Sequence, residues 1–207
     1  KNLAKLSKKY NFFLIYYYTD YIINNYKKKF LGSFPLKIKN TPINYYGITK
    51  LNGEIEIYKN SNKFLILRTS WLYSLYKKNF LTTVLKKIKN FENLNIVKDQ
   101  IGTPTSTKFL ADMSYHLVNK YKDYKKLKLV LNVVPNGYTS WFSFAKEINK
   151  IVFKKMSKKV KINSITSDKL NLIAKRPFYS KLDNSNLQRS VNVKIRSWRY
   201  YLKMLLK

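Results

Sequence analysis

The chain has 207 residues, 45% of them hydrophobic, and sets 42 Lys and Arg against 10 Asp and Glu for a net charge of +32. That suffices for one substantial core or a domain and a half; no apolar run reaches the ~18 residues a membrane-spanning helix needs, and the absence of cysteine excludes disulfides and thiolate metal sites and points to a reducing, cytoplasmic setting. The charge is mostly Lys spread along every segment, with Arg only at positions 68, 176, 189, 196 and 199, a pattern of AT-rich codon usage, so no specific nucleic-acid partner is expected.

Hydrophobic periodicity then divides the chain. Residues 5–9 read as the tail of a helix. Phe12-Phe13-Leu14-Ile15-Tyr16-Tyr17 is a buried strand, and its end, Tyr18-Thr19-Asp20, presents a hydroxyl and a carboxylate. Lys27-Lys28-Lys29 falls in a solvated loop. A helix is expected over 46–59, with Thr41-Pro42 as its start signal. The buried strand 64–67 ends in Arg68-Thr69-Ser70-Trp71. Next come a helix over 79–90 and a strand over 94–97. The polar turn Asp99-Gln100-Ile101-Gly102-Thr103-Pro104-Thr105 leads into a helix over 107–121. Beyond lie a strand at 129–133, a helix at 141–155 started by Ser140, a strand at 160–165 and a helix at 197–206. Strands alternating with helices imply an α/β fold with a parallel sheet. Ligands of such sheets lie outside the carboxyl ends of the strands, so the polar strand ends should share one crevice.

Tyr46 and Lys50 are four residues apart at the start of the second helix, and one turn puts both on the same face. A phenol beside an ammonium suits proton donation to a carbonyl, because the cation stabilises the phenolate. The spacing alone is weak. The chain holds four Tyr-x-x-x-Lys pairs, about as many as its abundance of both residues gives by chance, so the context of the pair must carry the reading.

That context is an ordered series: the Thr19-Asp20 strand end, Asn44-x-Tyr46-Gly47-x-Thr49-Lys50-x-x-Gly53-Glu54, Arg68-Thr69-Ser70-Trp71, Asp99-Gln100-x-Gly102-x-Pro104-Thr105, Ala174-Lys175-Arg176-Pro177 and Tyr179-Ser180-Lys181-Leu182. In order and spacing it resembles the extended short-chain dehydrogenase/reductases, and within them the dTDP-4-dehydrorhamnose reductases, over nearly the whole chain. The resemblance implies a partial Rossmann-like parallel sheet with a smaller C-terminal substrate-binding region. Residues 1–90 would be the C-terminal part of the dinucleotide-binding domain and 91–207 mainly the substrate-binding region, with 129–133 returning to the main sheet. The implied reaction converts dTDP-4-dehydro-L-rhamnose to dTDP-L-rhamnose with NADPH or NADH. Tyr46 would donate the proton, Lys50 would support Tyr46 and hydrogen-bond the nicotinamide ribose, and Thr19 would complete a catalytic triad. Asp20, Trp71, Gln100, Thr103 and Arg176 would contact the sugar nucleotide, while Pro104 shapes its turn. The resemblance also allows Mg2+ and a homodimer.

Several features depart from the family. None of the five Gly forms the Gly-rich turn that holds a cofactor pyrophosphate at a helix N-terminus, so about 80 to 90 residues of a two-part dinucleotide-binding domain are expected ahead of Lys1. Tyr18 replaces a small Ser, and Lys37-Ile38-Lys39 stands where the family is acidic. No His/Cys/Asp/Glu cluster has metal-ligand spacing, and the lone His116 reads as an ordinary helix residue. Trp141, after Thr139-Ser140, reads as a structural helix start. Two other classes stay open: a non-catalytic relative, such as the methionine adenosyltransferase regulatory subunit, and a decayed gene product.

Overall fold

The computed structural model describes residues 1–22, 42–153, 160–170 and 174–207. Its elements, in chain order, are α1 (Asn2–Lys9), β1 (Leu14–Thr19), α2 (Tyr45–Asn60), β2 (Lys63–Thr69), β3 (Leu72–Tyr73), α3 (Phe80–Lys89), β4 (Leu94–Val97), β5 (Ile101–Gly102), β6 (Thr105–Ser106) and α4 (Thr107–Tyr121). There follow β7 (Leu127–Asn132), β8 (Thr139–Ser140), α5 (Trp141–Phe153), β9 (Ile162–Ile165), β10 (Tyr179–Ser180), α6 (Ser185–Ser190) and α7 (Trp198–Leu206).

β1, β2 and β7 form a parallel sheet in that order, with Leu14 opposite Phe64 and Phe64 opposite Lys128. The central strand β2 is buried on both faces, which is why its residues 64–67 form a continuous apolar run. Its side chains still alternate. Phe64 and Ile66 pack with Ala4 of α1, Ile57 of α2 and Val130, whereas Leu65 and Leu67 pack with Phe109, Met113 and Leu117 of α4 and Leu187 of α6. Each such side chain contributes ~1.5–3 kcal/mol by leaving water, so the two clusters hold the sheet between two helical layers. A third cluster joins α3, α5 and α7 through Leu81, Ile88, Phe144, Ile148, Trp198 and Leu202, alongside the parallel pair β4 and β9.

Helix starts follow side-chain caps. Asn44 accepts a hydrogen bond from Gly47 N–H at 2.9 Å, and Ser106 accepts one from Phe109 N–H at 3.1 Å. Asn79 and Thr82 form a reciprocal capping box at the start of α3. The start of α2 is thus set by Asn44 and not by Thr41-Pro42. Thr41 lies outside the described residues, as do Lys27-Lys28-Lys29, Lys37-Ile38-Lys39 and the expected end of the fifth helix at 154–155. α1 begins at Asn2, three residues before the expected start, and β9 begins at Ile162. The two-residue strands β3, β5, β6, β8 and β10 and the short α6 were not expected. The strands pair β3 with β6, and β5 with both β10 and β8, around the polar turn at 99–105.

Candidate active site

The carboxyl ends of β1 and β2 open on a cleft of about 550 Å³. Thr19 ends β1 directly opposite Thr69, the last residue of β2, and the chain after Thr19 turns through one 3-10 turn, Asp20–Ile22. On the other side of the cleft stands the first turn of α2. A Cβ on Gly47 would lie 2.5 Å from the Tyr21 carbonyl oxygen and 2.8 Å from Pro42 Cβ, so only glycine lets α2 start this close to the end of β1. The Asn44 amide also donates to the Lys175 carbonyl at 2.9 Å, which ties the segment bearing Arg176 to the same helix start.

Tyr46 lies at the mouth of the cleft, 51% exposed, with the Tyr21 ring edge-on at 5.6 Å. The Lys50 ammonium, one turn along, is 6.0 Å from the Tyr46 ring centre and 5.0 Å from that of Tyr16, and donates to the Tyr17 carbonyl at 3.4 Å. Burial raises the Tyr21 phenol above its ordinary value, with the Arg176 charge opposing part of that rise. Thr19 Oγ1 donates to Asp20 Oδ1 at 3.3 Å and accepts from Tyr21 N–H at 3.3 Å. Asp20 is 3% exposed, and its Oδ2 has no partner among the described residues. Loss of hydration pushes its carboxyl up to about 6, against the pull of the Ser180 and Thr19 hydroxyls. The Thr69 hydroxyl, also on the cleft wall, is likewise buried without a partner.

Trp71 forms the opposite wall. It holds a left-handed φ of 47°, strained for an aromatic residue, and this backbone lays its indole flat on Trp141 with ring centres 3.6 Å apart and planes 5° from parallel. A Cβ on Gly102 would come within 2.5 Å of the Trp71 ring, so β5 must pass it as glycine. Gln100 also lines the cleft and is anchored by donating to Ser167 Oγ at 3.0 Å, which in turn donates to Asp99 at 2.7 Å. Arg176 lines the cleft and is exposed.

Thr19, Asp20, Tyr46, Trp71, Gln100 and Arg176 therefore meet around one space, and Lys50 stands behind Tyr46. Thr103 does not face it. Fully buried, its hydroxyl donates to the Gly137 carbonyl at 3.0 Å and its own carbonyl accepts from Ser70 at 2.8 Å. Tyr18 is accommodated in the core, 3% exposed, with Arg68, its neighbour in register on β2, 5.6 Å from the ring. Among the described residues no three His, Cys, Asp or Glu side chains form a metal-holding group. The sequence reading gave no site role to Trp141, Thr69 or Ser180, all of which line the cleft. Trp141 was legible only as a helix start. Thr69 had a signal, since it follows a buried strand just as Thr19 does.

The family described as RmlD substrate binding domain matches residues 1–207. The dTDP-4-dehydrorhamnose reductase of Escherichia coli K12 is 30% identical over 99% of the chain and 68% of its own length. Among solved structures, the dTDP-4-dehydrorhamnose reductase of Bacillus anthracis, in complex with NADP, superposes with a TM-score of 0.85 at 31% identity over 99% of this chain and 68% of that one. The Clostridium acetobutylicum dTDP-4-dehydrorhamnose reductase gives 0.85 at 30% identity, covering 99% and 69%.

Proposed function

The chain belongs to the RmlD substrate-binding-domain family, and from that premise we propose that it reduces dTDP-4-dehydro-L-rhamnose to dTDP-L-rhamnose with NADPH. The observation that carries this reading is the placement of Tyr46 and Lys50, one turn apart, at the mouth of a cleft floored by Thr19 and Asp20 and walled by Trp71. Tyr46 gives its phenolic proton to the C4 carbonyl oxygen as that oxygen gains negative charge, and the Lys50 ammonium beside it favours the phenolate left behind. Thr19 offers a hydroxyl to the same oxygen, so the developing charge meets two donors. Asp20 Oδ2, unpartnered and buried, accepts from a sugar hydroxyl, and the Trp71 face covers the apolar side of the ring. Arg176, with its forked donors, suits the pyrophosphate. Gln100 supports the sugar side of the cleft, and Thr103 acts by shaping the turn behind it.

NADPH when bound supplies the hydride. The residues present fit its nicotinamide ribose, which Tyr46 and Lys50 would hold, whereas the five glycines of the sequence form no Gly-rich motif for its pyrophosphate. Residues 1–90 accordingly serve as the C-terminal part of the dinucleotide-binding domain and 91–207 mainly as the substrate region, with β7 completing the main sheet beside β2. The lack of cysteine supports a cytoplasmic setting.

The test is steady-state kinetics of NADPH-dependent reduction in the natural protein. Tyr46→Phe should lower turnover by about 10²–10⁴ while sugar-nucleotide affinity stays nearly unchanged. Tyr121→Phe, whose phenol belongs to an equivalent Tyr-x-x-x-Lys pair outside the cleft, should leave turnover intact. Equal damage from both would sink the assignment, and a wild type with no turnover would favour the non-catalytic relative.

A further inference from the structure

Behind the cleft, α2 meets the sheet through charge more than through apolar contact. Its buried residues are Gly47, Glu54 and Ile57, so Ile57 is its one fully buried apolar side chain, with Leu51 partly buried. Apart from the close approaches at Gly47 and Gly53, such a helix has little apolar contact to fix its rotation about its own axis. Glu54, however, lies four residues beyond Lys50 and eight beyond Tyr46, on the same helical face. Its Oε1 accepts from Arg68 of β2 at 2.7 Å, and the two side chains are only 9% and 4% exposed. The guanidinium lies 5.6 Å from the Tyr18 ring centre, and Tyr18 OH, Glu54 Oε2 and Arg68 Nε are all buried without a further partner. Burial and the Glu54 charge both raise the Tyr18 phenol, so it remains protonated and available as a donor to the carboxylate. A buried ion pair is a poor source of net stability, because desolvation consumes most of the Coulombic gain. What such a pair supplies is register.

We propose that Glu54, Arg68 and Tyr18 form a buried brace that sets the rotation of α2 and so positions Tyr46 and Lys50 over the cleft. They are positioning residues that act through the helix; Tyr18 also borders the cleft, so its variant is read by the Lys50 signals and not by turnover alone. The proposal rests on the reading of Tyr46 and Lys50 as the proton-donating pair, yet the brace itself can be measured without turnover. Lys50 Nζ sits 5.0 Å from the Tyr16 ring centre, so the ring current of Tyr16 shifts the Lys50 ε-methylene NMR signals in the braced state.

The experiment compares wild type with Glu54→Gln, Tyr18→Phe and Ile57→Ala, recording those signals and the kinetics. Glu54→Gln keeps the shape and removes the charge. It should move the Lys50 signals to the position of a free lysine and lower turnover by about 10²-fold at unchanged KM, the scale of a 1 Å misplacement of reacting groups. Tyr18→Phe should do the same to a smaller extent, and it supplies the comparison if Glu54→Gln does not fold. Ile57→Ala, which removes apolar packing from the same helix, should lower the melting temperature and leave both readouts in place. Lys50 signals that stay put in both brace variants, or that move as far in Ile57→Ala, would overturn the brace. Lys50 signals that respond as expected in a protein with no turnover would uphold the brace and sink the catalytic reading instead.

Discussion

A carboxylate stripped of water resists ionisation, and Asp20, 3% exposed with Oδ2 unpartnered, is in that position. Unfolded, the group titrates near 3.8; folded, it titrates at about 6 because burial outweighs its hydrogen bonds. Folding therefore favours the protonated form. The contribution to stability is full below the unfolded value and is lost as pH rises through about 6, a difference of about 3 kcal/mol at most. Asp20→Asn should accordingly gain stability over wild type in denaturant melts at pH 8, with the gain vanishing towards pH 4. It should also lose affinity for the sugar nucleotide, the trade expected where a site holds a group at the expense of the fold. A stability difference that is flat across this pH range would show that the Asp20 carboxyl is not raised.

Glycine inside a helix is ordinarily ~1 kcal/mol less favourable than alanine, so propensity alone predicts that Gly47→Ala stabilises α2. The fold reverses the sign. The added carbon would meet the Tyr21 backbone oxygen at 2.5 Å, and backbone cannot move aside as a side-chain tip can. Overpacking of this kind costs ~1–3 kcal/mol, so thermal melts should show net destabilisation, with turnover falling because Tyr46 belongs to the displaced turn. A rise in melting temperature would mean that α2 does not lie this close to the end of β1. The same helix shows how far elements were legible. α3 and α4 repeat their apolar residues over ten or more positions, and β2 carries the unbroken apolar run 64–67, so periodicity found them, whereas α2 was marked more by its motif than by an apolar face. The strands β3, β5, β6, β8 and β10 each have two residues, too few to carry a period, and exist because tertiary neighbours pair with them. Thr19, Asp20, Tyr46 and Trp71 were legible because each lies at or just past a strand end or in the first turn of a helix, inside an ordered series of short motifs. The Glu54–Arg68 pair was not, since nothing in one dimension says that two charges fourteen residues apart are buried together.

For the molecule as a whole, +32 charges on 24.7 kDa repel one another, and among the described residues four ion pairs offset little of that. Self-repulsion of this kind weakens the compact state and is screened within ~10 Å at 0.1 M salt. The melting temperature should therefore rise between about 0.01 and 0.15 M monovalent salt, the reverse of what a fold held mainly by surface ion pairs would do. Over a similar range, from about 50 to 200 mM, binding to duplex DNA should collapse without sequence preference, because only counterion release sustains it. Fluorescence anisotropy with unrelated duplexes is the measurement. A preference that survived physiological salt would turn the lysine content into a recognition surface.

The stacked indoles of Trp71 and Trp141 have an optical consequence. Two chromophores 3.6 Å apart and 5° from parallel couple their excited states, so the pair should give an exciton signature in circular dichroism; the third tryptophan, Trp198, lies on the far side of Phe144 from Trp141 and is not stacked on either. A sugar ring settling on the Trp71 face perturbs one member of the pair directly. The protein thus carries an intrinsic, label-free reporter of cleft occupancy, one that responds whether or not any chemistry follows.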